Sequence, residues 1–297
     1  MTITPNLSLE ELLNRMDKLP EIPAVALQVS RLLNDPKANA KALGDIIVLD
    51  PALVAQVLKI CNSAQYALNR KIATISEAVA ILGQNLLKQI IYTIISHGVL
   101  NRPIRGYAME KGALWQNSMT CAVYARHLAH KLHFKDGELA FTASVLRDIG
   151  KIAMDSVIDG LGQTIERTVY SQKCSFLDAE EQIVGFNHCI IGAHLASRWN
   201  LPESLVLAIE FHHQPSQLPV TAALEHQKLV CIVHLADIYT MMTGAGMGLD
   251  GLMYPLDSHI FDVLGINPEN NLLDQWYAEL LDIQGEIDGM SKTFSNA

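Results

Sequence analysis

The sequence predicts an all-α protein built from many short helices. Apolar residues recur at helical spacing along most of the chain, with capping residues or prolines where helices would begin. Between residues 8 and 100, no stretch alternates polar and apolar residues as a half-buried strand does. The composition, 49% hydrophobic and 18% charged residues over 297 positions, excludes a disordered chain and suffices for a sizeable core.

The first part of the chain predicts five or six short helices. Ser8 opens the first with a capping box. Pro23 and Pro51 suit the first positions of two later helices, and Asp50 caps the second of these. That helix is expected to stop at Asn62.

A longer helix is expected next, with Ser76 as its cap and Gly83 as a corner. Polar residues such as Lys88 interrupt the apolar window 81–100, so it predicts a buried helix rather than a membrane span. Residues 101–110, which contain one proline and one glycine, are the best candidate linker.

The second half predicts seven more helices. Asp136, Ser175 and Asn187 are the clearest candidate caps. The expected ranges are about 111–132, 136–148, 177–185, 188–199, 202–212, 220–242 and 268–280.

The bulk properties limit the class of protein. A formal net charge of −9 disfavours broad nucleic-acid binding, which needs clustered Lys and Arg. The amino terminus lacks the regions of a signal peptide, and no apolar run is long enough to span a membrane. Five cysteines, odd in number and without a C-x-x-C pair, are typical of reduced thiols. These features predict a soluble cytoplasmic protein.

The stretch 146–151, Leu-Arg-Asp-Ile-Gly-Lys, looks like a metal-binding motif with one ligand replaced. A neutral imidazole beside a carboxylate can hold a divalent ion. Arg147 stands in the place of that imidazole, and a guanidinium has no lone pair to donate. At about 4 Å and an effective dielectric of about 20, two unit charges repel by roughly 4 kcal/mol, and a divalent ion would face roughly twice that. Arg147 should therefore oppose a cation here.

Five residues could still supply metal ligands. Carboxylates and imidazoles are donors that phosphate-hydrolysing di-metal sites use. The spacing alone favours the ordinary alternative, histidines at helix ends and a buried acid, because such separations fit many folds. The five candidates are Asp148, His188, His212, His213 and Asp237.

Three other groupings carry less weight. His127 and His130 share a helix face, but their basic neighbours are typical of a solvated surface. His234 and Asp237 are also three residues apart, which suits a hydrogen-bonded pair. The glycines of residues 244–248 follow a helix, whereas a dinucleotide-binding loop follows a strand.

Together these motifs resemble the HDOD family, a branch of the HD-domain superfamily found in bacterial signalling proteins. The similarity covers roughly residues 8–242, with the motifs in the expected order. They are the residues 19–23, 50–53, 62–64, 75–80, 82–83, 114–118, 146–151, 181–188, 199–202 and 212–213. The resemblance implies a two-lobed helical fold, with an amino-terminal lobe at 8–100 and an HD-like lobe at 111–242. Residues 250–297 would then be a helical extension.

The resemblance also implies a degenerate metal site. In catalytic HD enzymes, ligand histidines would stand at the positions of Asn117 and Arg147, so only the carboxylates Asp148 and Asp237 remain of that set. Arg147 could replace the lost cation by pairing with one of these carboxylates, which would otherwise be buried alone.

The related HD-GYP phosphodiesterases have further histidines that match His188, His212 and His213. The Gly-Tyr-Pro segment that should follow is absent, since residues 214–217 read Gln-Pro-Ser-Gln. This difference argues against hydrolysis of cyclic di-GMP.

The resemblance favours a non-enzymatic signalling or regulatory module that contacts a protein partner or a second copy of itself. One alternative is a residual metal-dependent phosphohydrolase that holds one divalent ion (Fe, Mn, Zn, Ni or Mg) with the five candidate ligands. Another is a small-ligand sensor in which Arg147 binds a phosphate or carboxylate.

Overall fold

The structure is a computed structural model. It describes residue 47, residues 51–63, 71–251 and 254–283, and the single positions 285, 287 and 289. These residues form α-helices and short 3-10 turns, with one isolated bridge and no strand. The all-α prediction is confirmed.

Twelve α-helices lie in the described ranges, and we number them in chain order. They are α1 Pro51–Cys61, α2 Ile75–Leu100, α3 Ala113–Lys131, α4 Gly137–Leu146, α5 Ile149–Ile158, α6 Gly162–Gln172, α7 Phe176–Val184, α8 His188–Arg198, α9 Glu203–Phe211, α10 Leu224–Thr243, α11 His259–Leu264 and α12 Leu272–Asp282.

The predicted helix starts are mostly confirmed. The side chains of Asp136, Ser175 and Asn187 each accept a backbone N–H at the start of α4, α7 and α8. The cap of α2 is a correction, because Thr74 rather than Ser76 accepts the N–H of Glu77.

Helices α5, α6 and α11 were not expected from the sequence. The first turn of α5 was assigned only to the motif 146–151. In α6 just two apolar side chains, Ile165 and Val169, are buried, so its apolar stripe is narrow. With its six residues, α11 is too short to give a clear periodic pattern.

The corner at Gly83 is confirmed, since this residue interrupts α2 with φ of 80°. No single helix among the described residues is long and apolar enough to cross a membrane, although the two arms of α2 pass that test when taken together.

Residues 101–110, predicted as a linker, are instead packed into the protein. Ile104 and Met109 pair through two backbone hydrogen bonds of 2.9 and 3.0 Å. Between them Tyr107 is fully buried, and its carbonyl accepts the N–H of Leu249 at 2.8 Å. The segment is a structured corner because its apolar side chains are buried and because Gly106, whose N–H donates to Asp155 Oδ1, packs too closely against α5 for a side chain to fit.

The helices expected between residues 8 and 50 lie outside the described residues, apart from position 47. The division at 8–100, 111–242 and 250–297 stays a prediction. Within the last of these ranges, Glu279 of α12 contacts His127 and Lys131 of α3.

The helices that position the site pack closely. Helix α3 packs against α4 and α10, and α8 packs against α5 and α9. A Cβ atom at Gly150 would lie 1.8 Å from the carbonyl oxygen of His188, so only glycine permits this approach of α5 to α8. The contact places the start of α8 beside Asp148.

Candidate functional site

The structure brings together all seven residues that the sequence singled out. Asn117 lies in α3, and Arg147 and Asp148 lie between α4 and α5. His188 begins α8, His212 and His213 follow α9, and Asp237 lies in α10. All seven side chains belong to buried residues. They are Asn117, Arg147, Asp148, His188, His212, His213 and Asp237.

One half of this cluster, which we call the arginine side, consists of Asn117, Arg147 and Asp237. Arg147 donates through Nε to Asp237 Oδ1 at 2.8 Å and through Nη1 to the Ser144 carbonyl at 3.0 Å. Its Nη2 donates to Asn117 Oδ1 and lies 3.1 Å from Asp148 Oδ2. Both carboxylates therefore share one guanidinium, whereas the hypothesis of a substitute cation expected only one of them to pair with it.

The charges of the arginine side stabilise one another. Burial alone would lower the pKa of Arg147, but the carboxylate of Asp237 raises it. Burial would likewise raise the pKa of Asp148, yet Lys151 and Arg147 hold it well below its ordinary range. The Arg147 guanidinium and the Asp148 carboxylate are therefore both ionised, although both are buried.

Lys151 is a second buried cation beside Asp148. Its Nζ lies 2.8 Å from Asp148 Oδ1 and 2.7 Å from Asp250 Oδ2. The ammonium also lies over the rings of Tyr107 and Tyr254, at 5.7 and 5.9 Å from their centroids. Each oxygen of Asp148 therefore faces a cation of the chain.

The other half, which we call the histidine side, consists of Glu180, His188, Cys189, His212 and His213. Nδ1 of His188 lies 2.7 Å from Glu180 Oε2, and Nδ1 of His212 lies 2.8 Å from a carbonyl oxygen. Both Nδ1 atoms are therefore the donors, which leaves each Nε2 to act as a ligand.

The Nε2 atoms of the histidine side point towards Asp148. They lie 3.6 Å (His188) and 3.8 Å (His212) from its Oδ1, too far for hydrogen bonds. Nε2 of His212 and both ring nitrogens of His213 are buried without a hydrogen-bond partner. Such groups are costly to bury unless something pairs with them.

Cys189 connects two of the imidazoles. Its Sγ lies 3.5 Å from His188 Nε2 and 3.7 Å from His212 Nδ1. Burial would raise the pKa of this thiol, but the two imidazoles lower it to about 7. Burial would lower the pKa values of both imidazoles, but the negative charge of Cys189 in its thiolate form raises the pKa of His212 to about 9 and that of His188 well above its usual value. Burial and the neighbouring His212 lower the pKa of His213.

The two halves differ in whether they fit a metal ion. One ligand atom from each of His188, Cys189, His212 and His213 lies within 4.8 Å of the others, so this group could hold a metal. Imidazole and thiolate donors suit zinc, iron or nickel better than magnesium. The arginine side does not fit a metal, because a guanidinium takes the place of the ion.

A loop and one aromatic ring close the site. The cavity lined by Asp148 and Asp237 measures about 10 Å³, close to the minimum for one water molecule. In the loop 244–251, the Ala245 carbonyl accepts from Asn117, and a Cβ at Gly246 would lie 2.0 Å from a backbone oxygen of α3. Tyr254 stacks on His213 with centroids 3.6 Å apart.

Sequence reasoning missed several members of the site. Lys151 belongs to the stretch 146–151, and the apolar residues beside it in the sequence were a signal that it is buried. Glu180, Cys189, Asp250 and Tyr254 gave no comparable signal, because they belong to no recognisable motif. Cys189 is adjacent to His188 and Glu180 lies eight residues before it, whereas Asp250 reaches Lys151 only through the packing of distant segments.

The histidine pairings suggested elsewhere do not form. Both ring nitrogens of His234 have other partners, the His212 carbonyl at 2.7 Å and the Asp257 N–H at 2.9 Å, so the expected bond to Asp237 is absent. His127 is partly exposed and lies 3.2 Å from Glu279, and His130 is exposed, in agreement with the solvated surface expected for these two residues.

Comparison with protein families gives a clear match. The model of the HDOD domain matches residues 19–215. An uncharacterized protein of Treponema pallidum (strain Nichols) is 28% identical over 241 residues, which are 76% of this chain but only 42% of that protein.

Solved structures share the fold over nearly the whole chain. An HDOD domain protein of unknown function from Geobacter sulfurreducens superimposes with a TM-score of 0.73 and 25% identity, over 96% of each chain. A protein from Shewanella amazonensis SB2B, named as a candidate phosphohydrolase, gives 0.70 and 24% over 95% of this chain and 97% of its own. A protein from Marinobacter aquaeolei VT8, named as a candidate signal transduction protein, gives 0.72 and 23% over 95% and 61%.

Proposed function

The chain belongs to the HDOD family, and on this basis we propose that it is a non-catalytic signalling module that acts by contact with a protein partner. Its site, related to that of HD phosphohydrolases, would serve as a charged structural core. Arg147 carries the proposal, because it is fully buried and pairs with both remaining carboxylates of the metal site.

Two further observations support this function. A phosphodiester cannot enter a cavity of about 10 Å³. A metal at the arginine side would also have to displace a guanidinium held by hydrogen bonds to Asp237, Asn117 and Ser144. Because the same bonds occupy its N–H groups, Arg147 is poorly placed to bind an external anion, and the sensor alternative gains no support.

We also propose a cellular location and a type of binding partner for the chain. All five cysteines are free thiols, which suits a reducing compartment such as the cytoplasm. The partner is expected to be a protein, or a second copy of the chain.

Phosphodiesterase assays test the non-catalytic function. The purified protein, incubated in turn with Fe²⁺, Mn²⁺ and Zn²⁺, should hydrolyse neither bis(p-nitrophenyl) phosphate nor cyclic di-GMP faster than its Asp148→Asn variant. The exposed acid Asp159 offers a matched control, Asp159→Asn. Turnover that is lost in Asp148→Asn and kept in Asp159→Asn would overturn the proposal.

A residual metal-dependent phosphohydrolase is the second candidate function. The unpaired ring nitrogens of His212 and His213 favour it, together with Glu180, which holds His188 in the ligand tautomer. His188, Cys189, His212 and His213 would hold one ion, which would supply Lewis-acid activation of a water.

Metal analysis separates the two candidates. If the second is correct, one zinc or iron ion per chain should co-purify, disappear in His212→Ala, and accompany phosphodiester turnover. Metal binding without turnover leaves the non-catalytic function in place and makes the ion structural.

A further inference from the structure

A second polar cleft lies between α2, α4 and the start of α9. Its cavity volume is about 60 Å³, larger than the space around Asp148. None of its lining residues lines that other cavity. They are Asn85, Gln89, Tyr92, Asp136, Glu138, Leu139, Thr142, Pro202 and Leu205.

Gln89 is the unusual residue of this cleft. It is only 1% exposed, and neither its side-chain nitrogen nor its side-chain oxygen has a hydrogen-bond partner. An amide offers two N–H donors and one carbonyl acceptor, and leaving such a group unpaired costs about 1–3 kcal/mol. In a cleft of this volume, such an amide pairs either with water or with a ligand.

Glu138 adds a second unpaired group at the same place. Its Oε2 is buried without a hydrogen bond, and burial raises the pKa of this carboxyl. The neighbouring polar side chains already serve the helix, since Asp136 caps α4 and the Thr142 hydroxyl donates to a backbone carbonyl. Among the buried side-chain atoms of the cleft, those of the Gln89 amide and Glu138 Oε2 therefore have no hydrogen-bond partner.

These groups define the chemistry of a complementary ligand. A carboxamide or ureido group has a carbonyl that accepts from Gln89 Nε2, one N–H for Gln89 Oε1 and another N–H for Glu138 Oε2. A guanidinium has no acceptor for Gln89, and a carboxylate has no N–H to donate. The small volume fits such a group better than a nucleobase.

We propose that this cleft is a binding site for a carboxamide or ureido group, which Gln89 pairs with edge to edge. The apolar walls formed by Leu139, Pro202 and Leu205 would hold the carbon atoms beside that group. The group could belong to a small metabolite or to an Asn or Gln side chain of a protein. The site is separate from the cluster around Asp148, so it does not depend on the proposed signalling function.

Binding of propionamide, followed by NMR on the isotope-labelled full chain, tests the proposal. Saturable shifts are expected for residues of α2 and α4 around the cleft, with propionate and propylammonium at least tenfold weaker. In Gln89→Leu the binding should be lost, while the midpoint of unfolding in guanidinium chloride, which does not fit the site as urea would, stays the same or rises, because an unpaired buried amide has been removed. Exposed Gln172 gives the matched control, Gln172→Leu, which should bind normally.

Two capped probes identify the source of the group. Tighter binding of N-acetyl-glutamine methylamide than of propionamide would indicate a protein side chain, whereas exclusion of the larger probe would indicate a small metabolite. The proposal is overturned if no carboxamide gives saturable shifts at the cleft, or if binding persists in Gln89→Leu. A large loss of stability in Gln89→Leu would also overturn it, since the amide would then be structural.

Discussion

The two halves of the buried site satisfy their carboxylates and imidazoles in different ways. On the arginine side, Asp237 Oδ1 and Asn117 Oδ1 accept from Arg147, which also lies 3.1 Å from Asp148 Oδ2, whereas Asp237 Oδ2 lies 3.5 Å from His213 Nδ1. On the histidine side, three ring nitrogens of His212 and His213 have no partner, although Glu180 and a backbone carbonyl hold two rings in a fixed tautomer.

This difference teaches that one buried guanidinium can satisfy half of a polar cluster and leave the other half with unpaired donor atoms. Arg147 supplies a permanent charge, so the arginine side is complete without an ion. The histidine side keeps the donors and the supporting hydrogen bonds that a metal requires. Asp148 lies between the two halves and contacts both, and Lys151 neutralises the oxygen that faces the histidines.

The largest expected effect comes from removing the cation of the arginine side. Arg147→His leaves Asp237 without its buried partner, and we expect a loss of about 3–5 kcal/mol in the free energy of unfolding. Urea denaturation in the presence of a chelator measures it. Added Mn²⁺ or Zn²⁺ should restore part of the loss, because the introduced imidazole could then share an ion with Asp148.

A control and a contrary result are available for this variant. Exposed Arg167 is the matched position, and Arg167→His should change stability by no more than about 0.5 kcal/mol. If Arg147→His unfolds at the wild-type urea concentration with and without metal, the guanidinium does not act as a substitute cation.

The loop over the arginine side gives the next prediction. Gly246 has φ of 59°, and an added Cβ would meet a backbone oxygen of α3, so Gly246→Ala should cost about 3 kcal/mol through strain and overpacking. Gly160 also has positive φ but no atom within 4 Å of an added Cβ, and Gly160→Ala should cost only about 1 kcal/mol. Equal losses in thermal unfolding would mean that the loop does not close tightly on α3.

The pH dependence of stability examines the histidine side. His188 and His212 have raised pKa values, so the folded metal-free protein binds two extra protons above pH 7, whereas the lowered pKa of Cys189 makes it bind one fewer. One net proton remains, and its contribution is lost as pH rises. The free energy of unfolding should fall by about 1.4 kcal/mol per pH unit between pH 7 and 8, below the range in which the raised pKa values of the buried thiols Cys61, Cys121 and Cys231 steepen the fall.

In His212→Gln, the free energy of unfolding should hardly change with pH over this range, because the extra proton bound by His188 then balances the proton that Cys189 lacks. Exposed His130 provides the control, since His130→Gln should leave the slope as in the wild type. If the free energy of unfolding of His212→Gln still falls steeply with pH, the charges assigned to the histidine side are wrong.

The sequence predicted the contents of the arginine side better than those of the histidine side. Arg147 and Asp148 are adjacent, and a guanidinium in a metal motif has one obvious physical consequence, so its pairing with carboxylates could be anticipated. The helix caps at Asp136 and Ser175 were equally local signals. Glu180 and Asp250 contact the site only through the packing of separate elements, and no local pattern reveals such contacts.

The smallest of these effects on stability concerns Glu180, which supports the histidine side alone. Its carboxylate accepts from the Tyr107 hydroxyl, from the backbone N–H of His188 at 3.1 Å and from the ring of His188 at 2.7 Å. Glu180→Gln should cost about 2 kcal/mol, the usual value of a hydrogen bond to a charged group. If the histidine side binds zinc, the same change should weaken binding about 10–100-fold, because His188 loses the partner that fixes its tautomer.

Calorimetric zinc titration of the Glu180→Gln variant measures that effect, with Glu269→Gln at an exposed site as the control. Zinc affinity that falls in Glu180→Gln and is kept in Asn117→Ala, on the arginine side, would support the assignment of metal binding to the histidine side. The reverse pattern would place the metal among the residues around Arg147, and the two halves would then have been assigned the wrong way round.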